Sequence, residues 1–310
     1  MQAFDFNTIK QKINTKGFFG CDSALGNLFL LKDRYKIHFE ARDSFLLREF
    51  NYSDSIKGYL FPIPYKNSNN VLNDFLNLIT ENRKKTEISL CLFTNEQKDE
   101  FNRFLEQDCP SYSIEWQTNP ADSDYLYLQK DLADLNGQKL QKKRNHISRF
   151  QRTFPHYSFL YFNKTNFSQN IYDDFMKVAD KWIEEQSENH DNSGISIYEA
   201  ERNSVRQALD NLSIFDYSGG ILYVEEKPVA ITLASKISEE VLDIHFEKCL
   251  KEFADFGGYA VINNQFAKMN DSYKYINREE DLGIEGLRKA KLSYKPIMIL
   301  EKNYGKLIKN

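Results

Sequence analysis

Between residues 241 and 247 the chain reads VLDIHFE. Leu242, Ile244 and Phe246 alternate with Asp243, His245 and Glu247, the period of a β-strand with one apolar face. On that reading the three titratable groups share the other face. A carboxylate beside an imidazole is a proton-transfer pair: one takes a proton from an attacking amine or hydroxyl, the other orients it. Glu247 and His245 are therefore candidate catalytic groups, and Asp243 a candidate substrate ligand. A second charged run, INREED at 276–281, ends the short strand YKYIN. Loops at strand ends are where open α/β sheets place ligands. Arg278 suits a carboxylate or phosphate. Glu279 or Glu280 suits a cationic amine, with Asn277 beside them and Glu280 joining the catalytic set. The structural alternative is plainer: a solvated face of a sheet, followed by a capped surface helix.

That helix, GIEGLRKAKLSY, begins acidic and ends basic, as the helix dipole favours. Glu285 and Lys289 stand at i,i+4. Ile284, Leu287 and Tyr294 are expected to form its buried side. Further back, Gly137–Phe154 holds six Lys/Arg and no acid. Leu140, Ile147, Phe150 and Phe154 mark an apolar stripe there, so the bases crowd the other faces. This is either a solvated helix face or an anion-binding seam between domains, touching tRNA phosphates, a cofactor phosphate or an anionic headgroup.

The elements that must position these residues follow from pattern. SFLLREF near Ser44, GYLFPIP near Gly58, ISLCLF at Ile88, YSIEWQ near Tyr112 and DYLYLQ near Asp124 read as strands. Helices are predicted over VLNDFLNLITENRKK (71–85) and TNEQKDEFNRFLEQ, the second capped at Thr94 and Asn95. The second half runs strand (YSFLYF), two helices, then a three-strand meander: GILYVEE, KPVAITLASKI and EEVLDIHFEKC. Its first turn is expected at Lys227-Pro228. A helix entered through Gly257-Gly258, the strand YKYIN, the charged helix and a last strand, KPIMILEKN, complete it. Helices must cover both faces of such mixed sheets.

Composition sets limits. The 310 residues are 41% hydrophobic and 14% aromatic, enough for real cores, and the net charge of −4 does not suit a protein that coats nucleic acid. The four cysteines are scattered, with no CxxC and no Cys/His zinc spacing. No Ser/His/Asp nucleophile, Walker loop or metal cluster is visible, and His38, His146, His156 and His190 are dispersed. The N-terminus does not read as a signal peptide, and no run approaches the ~18–20 apolar residues that cross a bilayer. A soluble cytoplasmic protein is expected.

Three segments, LNGQKLQKKRNHISRF, VLDIHFEKCLKEFADFGGYAVINNQFAK and INREEDLGIEGLRKAKLSYKP, resemble a bacterial family of tandem acetyltransferase-fold (GNAT-like) proteins. That family is related to the soluble C-terminal domain of phosphatidylglycerol lysyltransferases. More distantly it is similar to the aminoacyl-tRNA-dependent transferases of peptidoglycan cross-bridges. The resemblance is best over 130–305. It implies an α/β protein of two GNAT-like domains, each a mixed, largely antiparallel sheet covered by helices: a degenerate one at 1–134 and a second at 135–310. It implies transfer of an activated acyl group, with aminoacyl-tRNA or acyl-CoA as donor, to an amine or hydroxyl. GNAT enzymes seat the coenzyme A pyrophosphate at the start of the helix after the fourth strand. Gly257 and Gly258 overlay that loop, with Arg144 of the basic helix as a further cofactor ligand. Asp255 stands where the family's loop has a basic or amide residue, which argues against an ordinary acetyl-CoA site.

The sequence thus predicts an acyl or aminoacyl transferase acting on a small molecule, with tRNA contact through 137–154 and no metal. Its rivals are an acetyl-CoA-dependent N-acetyltransferase and a noncatalytic ligand-binding protein on the same fold.

Overall fold

The apolar runs and helical stripes fold into two sheets with helices between and around them. A computed structural model describes residues 4–51, 57–81, 88–187 and 195–310. His190 and residues 82–85 of the helix expected over 71–85 lie outside the described residues. In chain order the first half holds α1 (Phe6–Lys12), α2 (Leu25–Leu31), β1 (His38–Ala41), β2 (Phe45–Asn51), β3 (Lys57–Tyr59), β4 (Ile63–Pro64), α3 (Val71–Glu81), β5 (Ile88–Thr94), α4 (Asn95–Asp108), β6 (Tyr112–Thr118), β7 (Asp124–Leu128) and α5 (Gln129–Asp134). The second half holds α6 (Gln141–Thr153), β8 (Tyr157–Phe162), α7 (Gln169–Ser187), α8 (Ile195–Asp210), α9 (Leu212–Phe215), β9 (Ser218–Val224), β10 (Lys227–Ser238), β11 (Val241–Cys249), α10 (Lys251–Ala254), α11 (Gly258–Met269), β12 (Tyr275–Asn277), α12 (Glu285–Leu292), β13 (Met298–Leu300) and β14 (Lys302–Lys309). Helix α4 starts as its sequence requires: Thr94 and Gln97 exchange side-chain and backbone hydrogen bonds in a capping box.

Both sheets are mixed and seven-stranded, as the predicted α/β class requires. The first runs β1-β2-β3-β5-β14-β6, with β4 beside β2; the second runs β13-β7-β12-β11-β10-β9-β8. Sheet membership does not follow chain order. β14 inserts between β5 and β6 of the first sheet, while β7 lies in the second, between β12 and β13. Leu46, Phe50 and Cys91 of the first sheet share one apolar core with Phe162, Ile231 and Phe246 of the second, with α2 and α7 contributing Leu28 and Phe175. Burial of that shared core is what binds the sheets to each other.

Two local expectations need correction. The β9–β10 reversal falls at Glu225-Glu226, both at positive φ, and not at Lys227-Pro228, which already pair in the ladder. Paired positive φ is the geometry of the tight hairpin turns that match strand twist. On α12, Tyr294 is buried, but Ile284 and Leu287 are 52% and 42% exposed, with Leu282, Ile297, Met298 and Ile299 exposed beside them. The helix touches the body through its polar side instead, where Arg288 chelates the buried Asp281 and Lys291 reaches into the loop after β12.

Candidate active site

The second sheet opens between β11 and β12. The two strands pair in parallel only from Val241–Asp243 to Tyr275–Asn277. Beyond that β11 runs on and the other chain turns away. Two features make the split. On β11, Leu233 of β10 pairs with Phe246 and Ala234 with Ile244, so His245 is an extra residue without a ladder partner. That is a β-bulge, which bends a strand and shifts the side-chain alternation by one. On the other side, Asn277 Oδ1 accepts the Glu279 N–H at 2.7 Å, and Glu279 adopts φ 55°. Lys291 Nζ then donates to the carbonyls of Arg278, Glu279 and Glu280, pinning the loop from α12.

The bulge overturns the expected common face. Leu242 and Ile244 pack with Phe266 of α11, whereas Phe246 packs with Phe175 on the opposite side of the sheet. Glu247 therefore turns to the α11 side, where its carboxylate accepts from Arg278 at 2.7 Å and Asn263 at 2.9 Å. The Arg278 guanidinium lies 4.8 Å from the Tyr294 ring centre, and Lys143 of α6 sits 3.7 Å from the same centre. Burial, with Arg278 nearby, pushes the Lys143 ammonium down to about 8. Arg278 Nη1 is buried without a hydrogen-bond partner. With both oxygens bonded, Glu247 is better suited to fixing Arg278 across the split than to taking a proton.

Asp243 and His245 face the first sheet. His245 Nε2 lies 2.8 Å from Ser235 Oγ, and Nδ1 lies 3.0 Å from Glu279 Oε1 and 3.5 Å from Asp243 Oδ2. Burial holds the imidazole neutral, down to about 3. The order Ser235–His245–Glu279 is that of a nucleophile relay, which no sequence spacing announced. Ser235 Oγ is nonetheless roofed by α2: a methyl on Gly26 would lie 2.4 Å from it, leaving no room for a carbonyl to approach.

Next to this row stands a second charged cluster that sequence reasoning missed. Lys302 Nζ is 3.1 Å from Asp124 and bonded to Asp22; Asp124 also accepts from the Cys21 N–H at 2.8 Å and from Asn277 Nδ2 at 2.9 Å. Lys302 is 1% exposed and Asp124 is fully buried. Five carboxyls (Asp22, Asp124, Asp243, Glu279, Glu280) thus share a region with the ammonium groups of Lys302 and Lys291. Burial pushes Asp243 well up. Burial pushes Glu279 up to about 8, opposed by Lys291, and burial with the neighbouring Glu279 pushes Glu280 up to about 8. Beyond Gly26, a cavity of about 750 Å³ opens between the two halves, lined by Lys10, Lys16, Ser23, Lys236 and Glu240 among others.

The remaining predicted residues divide plainly. Asn277 is a clip, its amide also bonding the Phe19 carbonyl at 2.8 Å and tying the N-terminal segment to β12. Gly257 sits at φ 108°, and a Cβ there would lie 2.6 Å from the His146 carbonyl oxygen; one at Gly258 would lie 2.5 Å from Cys249 Sγ. Both glycines let helices pack closely. Arg144 bonds the carbonyls of Leu135 and Gly137 and the side chain of Gln141, closing its own turn. The apolar stripe of α6 is as read, with Leu140 and Phe150 buried. Among the described residues no helix is long and apolar enough to cross a membrane.

Known proteins match this architecture. The family described as phosphatidylglycerol lysyltransferase, C-terminal, matches residues 14–304. A conserved protein of unknown function from Bacteroides thetaiotaomicron is 32% identical, over 96% of this chain and 95% of that one, with a TM-score of 0.81. A C-terminal domain attributed to a lysylphosphatidylglycerol synthetase of Agrobacterium fabrum shares the fold at 11% identity, with a TM-score of 0.60 over 97% of this chain and 88% of that one. An uncharacterised protein of Mycoplasmoides gallisepticum is 23% identical over 222 residues, 69% of this chain and 68% of its own length. The chain belongs to the phosphatidylglycerol lysyltransferase C-terminal family, as its three marker segments suggest.

Proposed function

We propose that this protein is an acyltransferase that moves an aminoacyl group from aminoacyl-tRNA to an amine or hydroxyl acceptor, with Glu280 as the proton acceptor. The observation that carries the reading is the pair Glu279–Glu280 at the point where β11 and β12 part. A half-buried carboxyl raised to about 8 holds or releases its proton near neutral pH, which suits general base catalysis. In the transfer, the acceptor N–H or O–H attacks the ester carbonyl carbon. Glu280 takes the acceptor proton as the new bond to the acyl carbon forms, and returns it to the ribose oxygen as the bond to that departing group breaks. The acidic surroundings favour an aminoacyl group, whose ammonium they neutralise. Arg278, held by Glu247, supplies positive charge on the other side of the split. Lys142 and Arg152 on α6, with Lys139 in the turn before it, give a basic approach for tRNA phosphates, and the name of the family makes phosphatidylglycerol the first hydroxyl acceptor to try. A tRNA-charged donor also fits a cytoplasmic protein.

The test is transfer of labelled lysine or alanine from charged tRNA to phosphatidylglycerol vesicles or to small amines. Wild type is expected to transfer label at a rate rising with pH to about 8, and Glu280→Gln to fold normally and lose about 10²–10⁴-fold. Equal activity of Glu280→Gln removes the residue from the reaction. Transfer only from acyl-CoA replaces the donor, and ligand binding without transfer replaces catalysis by recognition.

A further inference from the structure

The two charged clusters beside the split differ in one respect. Around Cys21, Asp22 and Asp124 the cation is built in: Lys302 Nζ occupies the centre and bonds or pairs with both carboxylates. Among the described residues no Lys or Arg bonds to the side chains of Asp243, His245 or Glu279; Lys302 and Lys291 act on the two carboxyls only from a distance. Asp243 is fully buried, and neither of its oxygens has a hydrogen-bond partner. A carboxylate so placed is costly unless something positive meets it. Each of the three residues offers one donor atom within 4.8 Å of the others', and His245 Nδ1 faces both Asp243 Oδ2 and Glu279 Oε1.

From this geometry we propose that Asp243, His245 and Glu279 bind one divalent transition-metal ion, Zn²⁺ by preference. The spacing fits. Metal–ligand bonds of about 2.0–2.2 Å put neighbouring donors about 2.9–3.5 Å apart in octahedral or tetrahedral geometry. His245 Nδ1 stands 3.0 Å from Glu279 and 3.5 Å from Asp243. The donor chemistry fits as well: one imidazole nitrogen and two carboxylates suit Zn²⁺ or Mn²⁺ better than Mg²⁺ or Ca²⁺, which prefer oxygen alone. Ser235 supplies the supporting contact. With the ring proton on Nε2, donated in a hydrogen bond to the Ser235 hydroxyl 2.8 Å away, the Nδ1 lone pair is left for the ion. Delivery is open on one side, because the Glu279 side chain keeps 20% of its surface exposed. The site ties the β11 bulge to the loop after β12, the two features that open the sheet.

Metal binding is read without any substrate, so it stands or falls independently of the transfer reaction. The full chain, stripped with chelator, is titrated calorimetrically with Zn²⁺ alone and, separately, with Mg²⁺. One Zn²⁺ per chain at micromolar or tighter affinity is expected, with proton release on binding and no uptake of Mg²⁺. X-ray absorption on the zinc-loaded wild type should show one imidazole nitrogen, oxygens and no sulfur. Asp243→Asn and Glu279→Gln, checked for folding by circular dichroism, should abolish stoichiometric binding. Ser235→Ala should weaken it about 10–100-fold. Cys21→Ser should leave it intact, which separates this site from the lysine-filled one. Absence of Zn²⁺ binding, a sulfur ligand, or unchanged affinity in both folded carboxamide variants overturns the proposal.

Discussion

Replacing Lys302 by methionine tests the logic of the buried charges most directly. Methionine keeps most of the stem volume and removes only the ammonium, so packing is nearly conserved. What remains is Asp124, fully buried, 3.1 Å from where the charge was, and Asp22, with an 18% exposed side chain. At an effective dielectric of 20, a unit pair at that separation interacts by about 5 kcal/mol. Breaking a buried pair typically costs about 3–5 kcal/mol, because the surviving charge is left uncompensated. For a chain of this length that is a fall of about 5–8 °C in the thermal midpoint. The pH dependence follows from linkage. Burial already raises Asp22 in the wild type, and without Lys302, which opposes that rise, it rises further. An acid raised in the folded state binds its proton more tightly there than when unfolded, so it loses stability as pH climbs above the unfolded value of about 4. The deficit of Lys302→Met should therefore be larger at pH 8 than at pH 5 in thermal or urea unfolding. Adding Asp124→Asn should recover at least half of it. A deficit below about 1 kcal/mol, one equal at both pH values, or no recovery in the double variant would refute the account of the cluster.

Two further outcomes test the packing. Gly257→Ala forces a side chain into φ 108° and a methyl against the His146 carbonyl at 2.6 Å, so it should cost at least about 2 kcal/mol, whereas Gly286→Ala, in open space on α12, should stabilise by about 0.5–1 kcal/mol; differential scanning calorimetry reads both. Leu287→Ser and Ile284→Ser should each lower stability by less than about 1 kcal/mol in urea unfolding, since both residues are about half exposed; a loss of about 2 kcal/mol or more would mean that they are buried after all.

The periodicity of VLDIHFE was legible as a strand with a titratable row, and the strand is there. Its bulge was not, because a bulge is a property of two strands in register, and nothing in β11 alone announces that His245 will go unpaired with β10. One inserted residue was enough to send Glu247 to the other side of the sheet. The charged run INREED marked Arg278–Glu280 as the end of a strand, and that strand pairs with β11. Lys302 and Asp22 were invisible for a different reason: they are 280 residues apart, and a lysine in the strand EKNY looks like any edge cation until the fold closes over it. Ile284 and Leu287 show the converse failure. Their spacing is that of a buried stripe, but Arg288–Asp281 and Lys291 dock α12 through its polar side, and periodicity cannot tell which side wins.

The position of β14 governs the order in which this chain becomes solid. Its residues 302–309 fill the gap between β5 and β6, pairing with β5 from Lys302 to Leu307 and with β6 from Asn303 to Lys309. Until they arrive, a ribosome-bound nascent chain exposes two raw strand edges some two hundred residues upstream, where a chaperone or a neighbouring polypeptide can pair with them. Clipping that strap by protease should accordingly unzip the N-terminal sheet at its middle and, through Lys302, unseat the acidic cluster at the split in the same stroke.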